Sequence, residues 1–439
     1  MNIELLKAKI LDLAIHGKLV PQLDSEPAVE QIGEVPDEIP FEIPEKWKWI
    51  YIKNLGEVVS GGTPRTSIKE YWEPQEINWV TPADLGKLTG KYVKTGKNKI
   101  SKLGLTKSSA KLMPPGSIIF SSRAPIGYTF IASSFLCTNQ GCKSLIPNTN
   151  IVCSEWIYFS LLYRVDDIKK KASGTTFSEI SGSKFKEILI SCPPLQEQHR
   201  IVAKINELFS ILDAIDAKQK SLEEKLKLIK TKALDLAIHG KLVPQLDSEP
   251  AVEQIGEAPD EIPFEIPEKW KWVELHSIGA FFSGKTPNKE LLSNAAGIPY
   301  FKVSDMNTPG NEIYLIKTQL FVNPKAKIKQ YPPASIVFPK NGGALLTNKK
   351  RILDQYSIVD LNTGGFIPNQ DFTLRYAFIY FLLIDFKKIY KGSALPTLDM
   401  QKLKFYSIAL PPIEEQHRII AKINEIFSFC DKAMELLHK

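Results

Sequence analysis

Side chains suited to reading the edges of nucleobases occur in two diverged segments of this 439-residue chain. The first holds Ser122, Arg123, Asn139 and Gln140; the second holds Lys340, Asn341, Thr347 and Asn348. Arg and Lys match the O6 and N7 acceptors of guanine, Asn and Gln match the N6/N7 edge of adenine, and Ser or Thr fits either. Thr63, Arg65 and Lys143 in the first half of the chain, and Lys349, Lys350 and Arg351 in the second, suit phosphate, which fixes position and carries no sequence information.

Rival chemistries are weaker on physical grounds. Gly279 to Thr286 satisfies the P-loop spacing GxxxxGK[ST] literally. That loop needs small residues and a helix starting at the lysine, so that amides face phosphate. Here Phe281 and Phe282 fill it, no amphipathic helix follows Pro287, and the equivalent position in the first half of the chain is Gly62. Cys137 and Cys142 resemble half a metal site, but no second Cys/His pair stands at ligand spacing. Asp37 and Glu45 lie in a Pro-rich loop without the strand context of a nuclease carboxylate cluster. His16/His239 and His199/His417 fall at helix ends or starts, where capping or packing is the ordinary role.

The elements that must position the two polar groups come in pairs. Ser60-Gly61-Gly62-Thr63-Pro64 matches Ser283-Gly284-Lys285-Thr286-Pro287, Trp79 to Asp84 matches Tyr300 to Asp305, and Pro114 to Phe120 matches Pro332 to Phe338. These predict a shared turn and two shared strands. The last pair runs into loops that do not match at all, Ser121 to Gly127 and Pro339 to Ala344. Apolar strands opening into polar Gly/Pro loops are how a rigid scaffold presents variable contacts.

Around these diverged segments the chain repeats itself. Leu11 to Ile50 returns as Leu234 to Val273 with only Val35/Ala258 and Ile50/Val273 changed, and Pro193 to Ser210 returns as Pro411 to Ser428. A spacing above 200 residues means two copies of a whole domain rather than a solenoid. Ile201, Ile205, Leu208, Leu212, Ile215, Gln219, Leu222, Leu226, Ile229, Ala233 and Leu236 form a 4,3 seam, predicting a helix from about Leu195 to Ile238 that ends at Gly240 with Pro244 beyond. At 1.5 Å per residue it would be roughly 65 Å long. Ile419, Ile423, Ile426, Cys430, Ala433 and Leu437 repeat the first half of this seam, and Ile3, Leu6, Ile10 and Leu13 the second. Seams need partners, so both terminal helices are expected to pair antiparallel with the central one; a lone dimeric coiled coil is the alternative. The connectors Val20 to Pro44 and Val243 to Pro267 read as ordered loops, ending in tryptophans (Trp47, Trp49, Trp270, Trp272) that anchor a core.

Charge follows the same division. Residues 46–190 carry 21 Lys/Arg against 10 Asp/Glu, and residues 269–410 carry 19 against 9, so two basic globules stand on an acidic frame within a net charge of +7. Lysine and arginine meeting phosphate release condensed counterions, so this layout suits two contacts to a polyanion. The sequence contains neither an apolar run of membrane-spanning length nor a signal-like start, and five cysteines without zinc-ribbon spacing fit reduced thiols, so a cytoplasmic location is expected.

Gly61-Gly62-Thr63-Pro64 followed by Trp79-Val80-Thr81-Pro82-Ala83-Asp84-Leu85, and the Pro-Pro-Leu-Gln-Glu-Gln-His-Arg-Ile-Val run from Pro193 with its copy from Pro411, resemble the DNA specificity subunit of type I restriction-modification systems. The likeness spans essentially the whole chain, departing at Lys285 for Gly62 and at Lys302-Val303-Ser304. It implies a mixed α/β protein with two target recognition domains separated by two long helical regions, which form an antiparallel coiled coil in a circular, pseudo-twofold arrangement. The divisions expected are an N-terminal helix (1–17), a connector (18–45), a first recognition domain (46–192) and the central helix (193–240), then a second connector (241–268), a second recognition domain (269–410) and a C-terminal helix (411–439). Each domain would read one half of a split, asymmetric site in double-stranded DNA. The helices would act as a ruler, about one to two duplex turns at roughly 34 Å each. Two methyltransferase subunits would dock on the repeated frames and restriction/translocase subunits would join them. S-adenosylmethionine, ATP and Mg would belong to those partners, leaving this chain without cofactor, metal or active site. A non-catalytic coiled-coil scaffold binding proteins is the competing class, and the basic globules weigh against it. Identity at 38 of 40 repeat positions, exposed loop included, exceeds what docking demands and points to a recent or recombining DNA repeat.

Overall fold

The N-terminal helix Ile3–Ile15 begins where the Asn2 side chain accepts from Leu5 N at 3.0 Å. It ends at Gly17, whose φ of +67° lets Lys18 N reach back to Leu13 O at 2.8 Å. The central helix Leu195–Ile238 closes the same way at Gly240 (φ +65°), with Lys241 N on Leu236 O at 2.9 Å. A side chain with a Cβ pays for this left-handed geometry, which is why glycine terminates both helices. The computed structural model describes residues 2–172, 179–259, 262–392 and 394–438 and divides into two units, Met1–Lys218 and Gln219–Lys439.

In the first unit, among the described residues, a five-stranded sheet runs Gly56–Ser60, Cys142–Pro147, Ile118–Ser121, Thr129–Ala132, Tyr92–Val93. A three-stranded sheet runs Asn98–Ile100, Ile77–Val80, Leu136–Thr138, the last two parallel. The pair Lys48–Tyr51 and Leu189–Cys192 closes the domain where it meets the frame. The second unit has the same order: Gly279–Ser283, Thr363–Pro368, Ile336–Pro339, Arg351–Leu353, Tyr314–Leu315, with Ile298–Phe301 parallel to Ile358–Val359 in the smaller sheet. The literal P-loop is thus no loop, because Gly279–Ser283 is an edge strand paired to Thr363–Pro368. The shared segment from Trp79 is half strand and half turn. The strand stops at Val80, and Thr81 caps Pro82–Leu85, its N–H donating to Asp84 Oδ2 at 2.9 Å; Lys302 N does the same to Asp305 Oδ2 at 2.7 Å.

The connectors are ordered, as their alternation predicts. Lys46 Nζ donates to the carbonyls of Leu23, Asp24 and Glu26 at 2.6, 3.2 and 2.8 Å, and Lys269 repeats this on Leu246, Asp247 and Glu249. The repeated Glu-Gln-His-Arg run explains itself through these loops. Buried Glu197 accepts from Trp47 Nε1 at 3.0 Å and from Gln22, while Arg200 forks onto Glu26 at 3.0 and 2.7 Å. Gln198, fully buried, donates to Ile151 O and Pro193 O and accepts from Cys153 N. Glu415, Gln416 and Arg418 reproduce the set against Trp270, Gln245, Asp371, Pro411 and Glu249. Burial raises the pKa of both Glu197 and Glu415, with the indole and amide donors opposing. Trp47 and Trp270 sit in their respective cores, as the structural reading of the tryptophans requires. His16 and His239 also pack structurally, each Nδ1 on the carbonyl four residues back and each ring on a phenylalanine, Phe41 or Phe264.

The helix pairings are antiparallel within each unit. Lys7 meets Asp213 at 2.6 Å and lies 5.6 Å over Phe209; equivalently, Lys230 meets Asp431 and lies 5.0 Å over Phe427, and Gln219 donates to Leu437 O at 3.0 Å. The expected seam holds for Ile201, Ile205, Leu212, Leu226, Ala233, Ile419, Ile423 and Cys430, but in its second half the positions between them shift by one residue. Leu226, Ala233 and Ala237 are buried whereas Leu222 and Ile229 are 43% and 46% exposed, so the inner line runs through Glu223 and Lys230. The N-terminal helix keeps the expected Ile3 inside and shows the same shift beyond it, with Leu6 exposed and Ala14 buried. Its physical reason is that Lys7 and Lys230 lay their aliphatic stems along the partner helix and satisfy their charge on an aspartate.

Candidate nucleic-acid interface

In the first unit the strands Gly56–Ser60, Ile77–Val80, Ile118–Ser121 and Leu136–Thr138 all end where Cys142–Pro147 begins, and their loops interlock. Gly61 N donates to Cys142 O at 3.3 Å, Gly62 N to Thr138 O at 2.8 Å, Asn139 N to Val80 O at 3.0 Å and Ser122 N to Gly141 O at 2.8 Å. Added from outside the expected set, Ile180 N donates to Ser122 O at 2.9 Å. The second unit repeats this bond for bond: Gly284 to Thr363, Lys285 to Val359, Asp360 to Phe301, Lys340 to Asn362 and Leu398 to Lys340, all between 2.8 and 3.0 Å. Residues that are not similar in sequence are therefore equivalent in space, Arg123 with Asn341, Asn139 with Asp360, Gln140 with Leu361.

The structure brings most of the expected residues together in the first unit. Thr63 Oγ1 donates to Gln140 Oε1, Asn139 Oδ1 accepts from Gly141 N at 3.0 Å, and Lys143 Nζ donates to Gln140 O at 3.3 Å. Arg123, Asn139, Gly141, Thr81, Ala83 and Glu179 line one groove. Gln140, Thr63 and Arg65 are exposed, Arg123 and Asn139 partly so. Ser122 is a correction: it is fully buried, and its hydroxyl donates to Gly141 O at 3.1 Å, so it holds the loop and does not face a ligand. Lys143 is likewise largely buried.

In the second unit Asn341 Nδ2 donates to Asn362 Oδ1 at 3.3 Å, Lys340 is half-buried beside it, and Thr347 is exposed with its hydroxyl on Ala344 O at 2.7 Å. Lys349 Nζ reaches Asn307. Asn348 takes the left-handed conformation (φ +55°) that ends the loop, and its Oδ1 accepts from Lys350 Nζ at 2.7 Å and Phe386 N at 3.0 Å. Lys350 is the second correction. It is fully buried, donating also to Ile384 O at 2.7 Å and lying 4.0 Å over the Phe386 ring, and burial pushes its pKa down to about 7. Arg351 ties the strand to the preceding loop through Lys350 O and Met306 O at 2.7 and 2.8 Å, and burial lowers its pKa.

Several residues with a part in these clusters went unmarked by sequence reasoning. Glu179 touches both Arg123 and Lys143; Asp360, its pKa raised by burial, accepts from Thr363 Oγ1 at 2.5 Å; Asn362 anchors Asn341. Only the backbone register reveals them, since none stands in a shared motif. Among the described residues no group of His, Cys, Asp and Glu could hold a metal ion. Burial pushes the Cys137 and Cys142 thiols up to about 12, which leaves them without thiolate character at neutral pH. No described helix is long and apolar enough to cross a membrane.

Comparison with known proteins fits this geometry. Residues 44–226 and 267–436 each match the model of the type I restriction modification DNA specificity domain. The chain is 31% identical over 411 residues to the type I restriction enzyme MjaIX specificity subunit of Methanocaldococcus jannaschii, covering 90% of this chain and 91% of that one. It is 30% identical over 185 residues to the EcoR124I/EcoR124II specificity subunit of Escherichia coli, 41% of this chain and 43% of that one. Its fold resembles a chain in a structure on complex assembly and conformational transition of the type I R-M system (TM-score 0.68, 16% identity, 91% and 94% covered). It also resembles the HsdS subunit from Thermoanaerobacter tengcongensis (TM-score 0.56, 17% identity, 91% and 92% covered).

Proposed function

Because the chain belongs to the type I restriction-modification DNA specificity family, we propose that its two strand-end loop clusters each read one half of a split, asymmetric double-stranded DNA site. The observation that carries this reading is a backbone repeated hydrogen bond for hydrogen bond whose presented side chains change, from Arg123 and Gln140 to Asn341 and Leu361. Constant geometry with variable donors and acceptors is what discrimination between base pairs requires. Residues 46–192 and 269–410 are the recognition domains in this reading, each flanked by a connector and a helix of the repeated frame.

Arg123, Asn139 and Gln140 in one cluster, and Lys340, Asn341 and Thr347 in the other, are assigned to bases. Thr63, Arg65 and Lys349 are assigned to phosphate. Ser122, Asn348 and Lys350 hold the loops from within, and Lys143 and Arg351 brace them while keeping positive charge near the polyanion. The chain recognises and does not catalyse. Methyl transfer and ATP-driven cleavage fall to two methyltransferase subunits and to restriction/translocase subunits assembled on the repeated frames, in the cytoplasm. A protein-only scaffold has no use for cationic loop clusters that differ at matched positions.

The test is to reconstitute the full chain with a type I methyltransferase subunit and map modified bases genome-wide by single-molecule sequencing. One split, asymmetric motif is the expected outcome. A stable complex that modifies no defined motif would overturn the assignment.

A further inference from the structure

Glu179 stands among the loops that carry the assigned contacts, and its partners are cations of that set. Its Oε2 lies 3.3 Å from Arg123 Nη1 and its Oε1 3.7 Å from Lys143 Nζ. Its backbone bridges to that of Arg123, so the two side chains leave adjacent antiparallel segments. Neither is sealed: the Glu179 side chain is 34% exposed and that of Arg123 39%. A carboxylate in a groove meant for a polyanion is repelled by phosphate, so its presence asks for a compensating task. Arginine supplies one. Its fork reads guanine O6 and N7 with two parallel N–H groups, and that geometry is useful only if the guanidinium plane is held.

The second unit gives the control. Thr397 occupies the place of Glu179 and bridges to Asn341, which occupies the place of Arg123. There the group facing outward is a neutral amide, and it is held by Asn362. The group holding the reader thus changes together with the reader: a carboxylate on a guanidinium in the first unit, an amide on an amide in the second, where the Thr397 hydroxyl turns to Leu395 O.

We propose that Glu179 is a positioning residue for base recognition, pinning Arg123 through Nη1 so that its Nε–Nη2 edge is presented to a guanine. This rests on the assignment of Arg123 to a base. The full-length chain and its Glu179→Ala, Arg123→Ala, Glu179→Gln and doubly substituted Glu179→Ala/Arg123→Ala forms would each select duplexes from a randomised double-stranded DNA library. Base frequencies at every position are then compared.

Arg123→Ala should erase the preference at one base pair of one half-site. Glu179→Ala should weaken the preference at that same pair about tenfold and add nothing to the base preferences in the Arg123→Ala background. Glu179→Gln, which keeps an acceptor oxygen, should fall between wild type and Glu179→Ala. Preferences kept at the remaining base pairs of the same half-site report that the first recognition domain of each variant is folded. A Glu179→Ala effect that persists without Arg123, or that spreads evenly over all sequences, or no effect beside the expected Arg123→Ala loss, overturns the role of Glu179 alone. Even loss on every sequence in Arg123→Ala overturns the assignment of Arg123 itself.

Discussion

Lys350 carries an ammonium group into the interior of the second unit, on Asn348 Oδ1 and Ile384 O and above Phe386. Because burial lowers its pKa from 10.5 to about 7, the folded chain binds this proton more weakly than the unfolded chain does. Stability is therefore withheld below pH 7 and regained as pH climbs toward 10.5. The difference in unfolding free energy between wild type and Lys350→Met should move in favour of wild type across that window, measured by urea denaturation at pH 7 and pH 9.5. A difference that stays flat would mean that the two oxygens and the ring keep the ammonium charged. Ser122 makes a complementary case. Its hydroxyl bonds inside the fold, so Ser122→Ala should cost about 1 kcal/mol of stability and leave the recognised bases unchanged. In the sequence both residues looked like DNA contacts because polarity next to glycine and proline marks a loop, and nothing local says which polar groups the loop spends on itself.

Helix limits were legible at the scale of the element. The 4,3 repeat and the glycine-proline stop gave the central helix its ends, and the structure places it at Leu195–Ile238. In the seam's second half Leu226 and Ala233 are buried as expected, but Leu222 and Ile229 are not: the inner line passes instead through Glu223, which contacts His438, and Lys230, which pairs with Asp431. Leu226→Ala should cost about 2–5 kcal/mol and Leu222→Ala within about 0.5 kcal/mol, read from chemical denaturation of the full chain. Equal costs would restore the original seam. Removing a buried acceptor from the frame is expected to be worse than its charge suggests. Glu197→Leu strands the buried Trp47 indole N–H, at about 1–3 kcal/mol, while the exposed Gln22 amide can turn to water, whereas Glu197→Gln keeps one acceptor and should cost less. The frame's reading as a repeated unit was secure from identity alone. The pairing of Arg123 with Glu179 was not, since 56 residues separate them and no motif links them.

For the whole molecule, the division of labour predicts what an exchange does. Replacing residues 46–190 with the corresponding segment of another specificity subunit should change one half of the methylated motif and leave the other, because each loop cluster is closed by bonds within its own unit. Both halves changing at once would show that the units do not recognise independently.

Lys7 and Lys230 sit at the same step of the repeat, and so do Asp213 and Asp431, and Phe209 and Phe427. An in-frame loss of 223 residues, starting anywhere between Leu11 and Ile50, joins the first copy of the repeat to the second and creates no foreign junction. The shortened chain would keep the N-terminal helix, one connector, the second recognition domain and the C-terminal helix. Lys7 would then meet Asp431 and Phe427, side chains chemically identical to the ones it meets now. Such a deletion should yield a protein that unfolds in one cooperative transition.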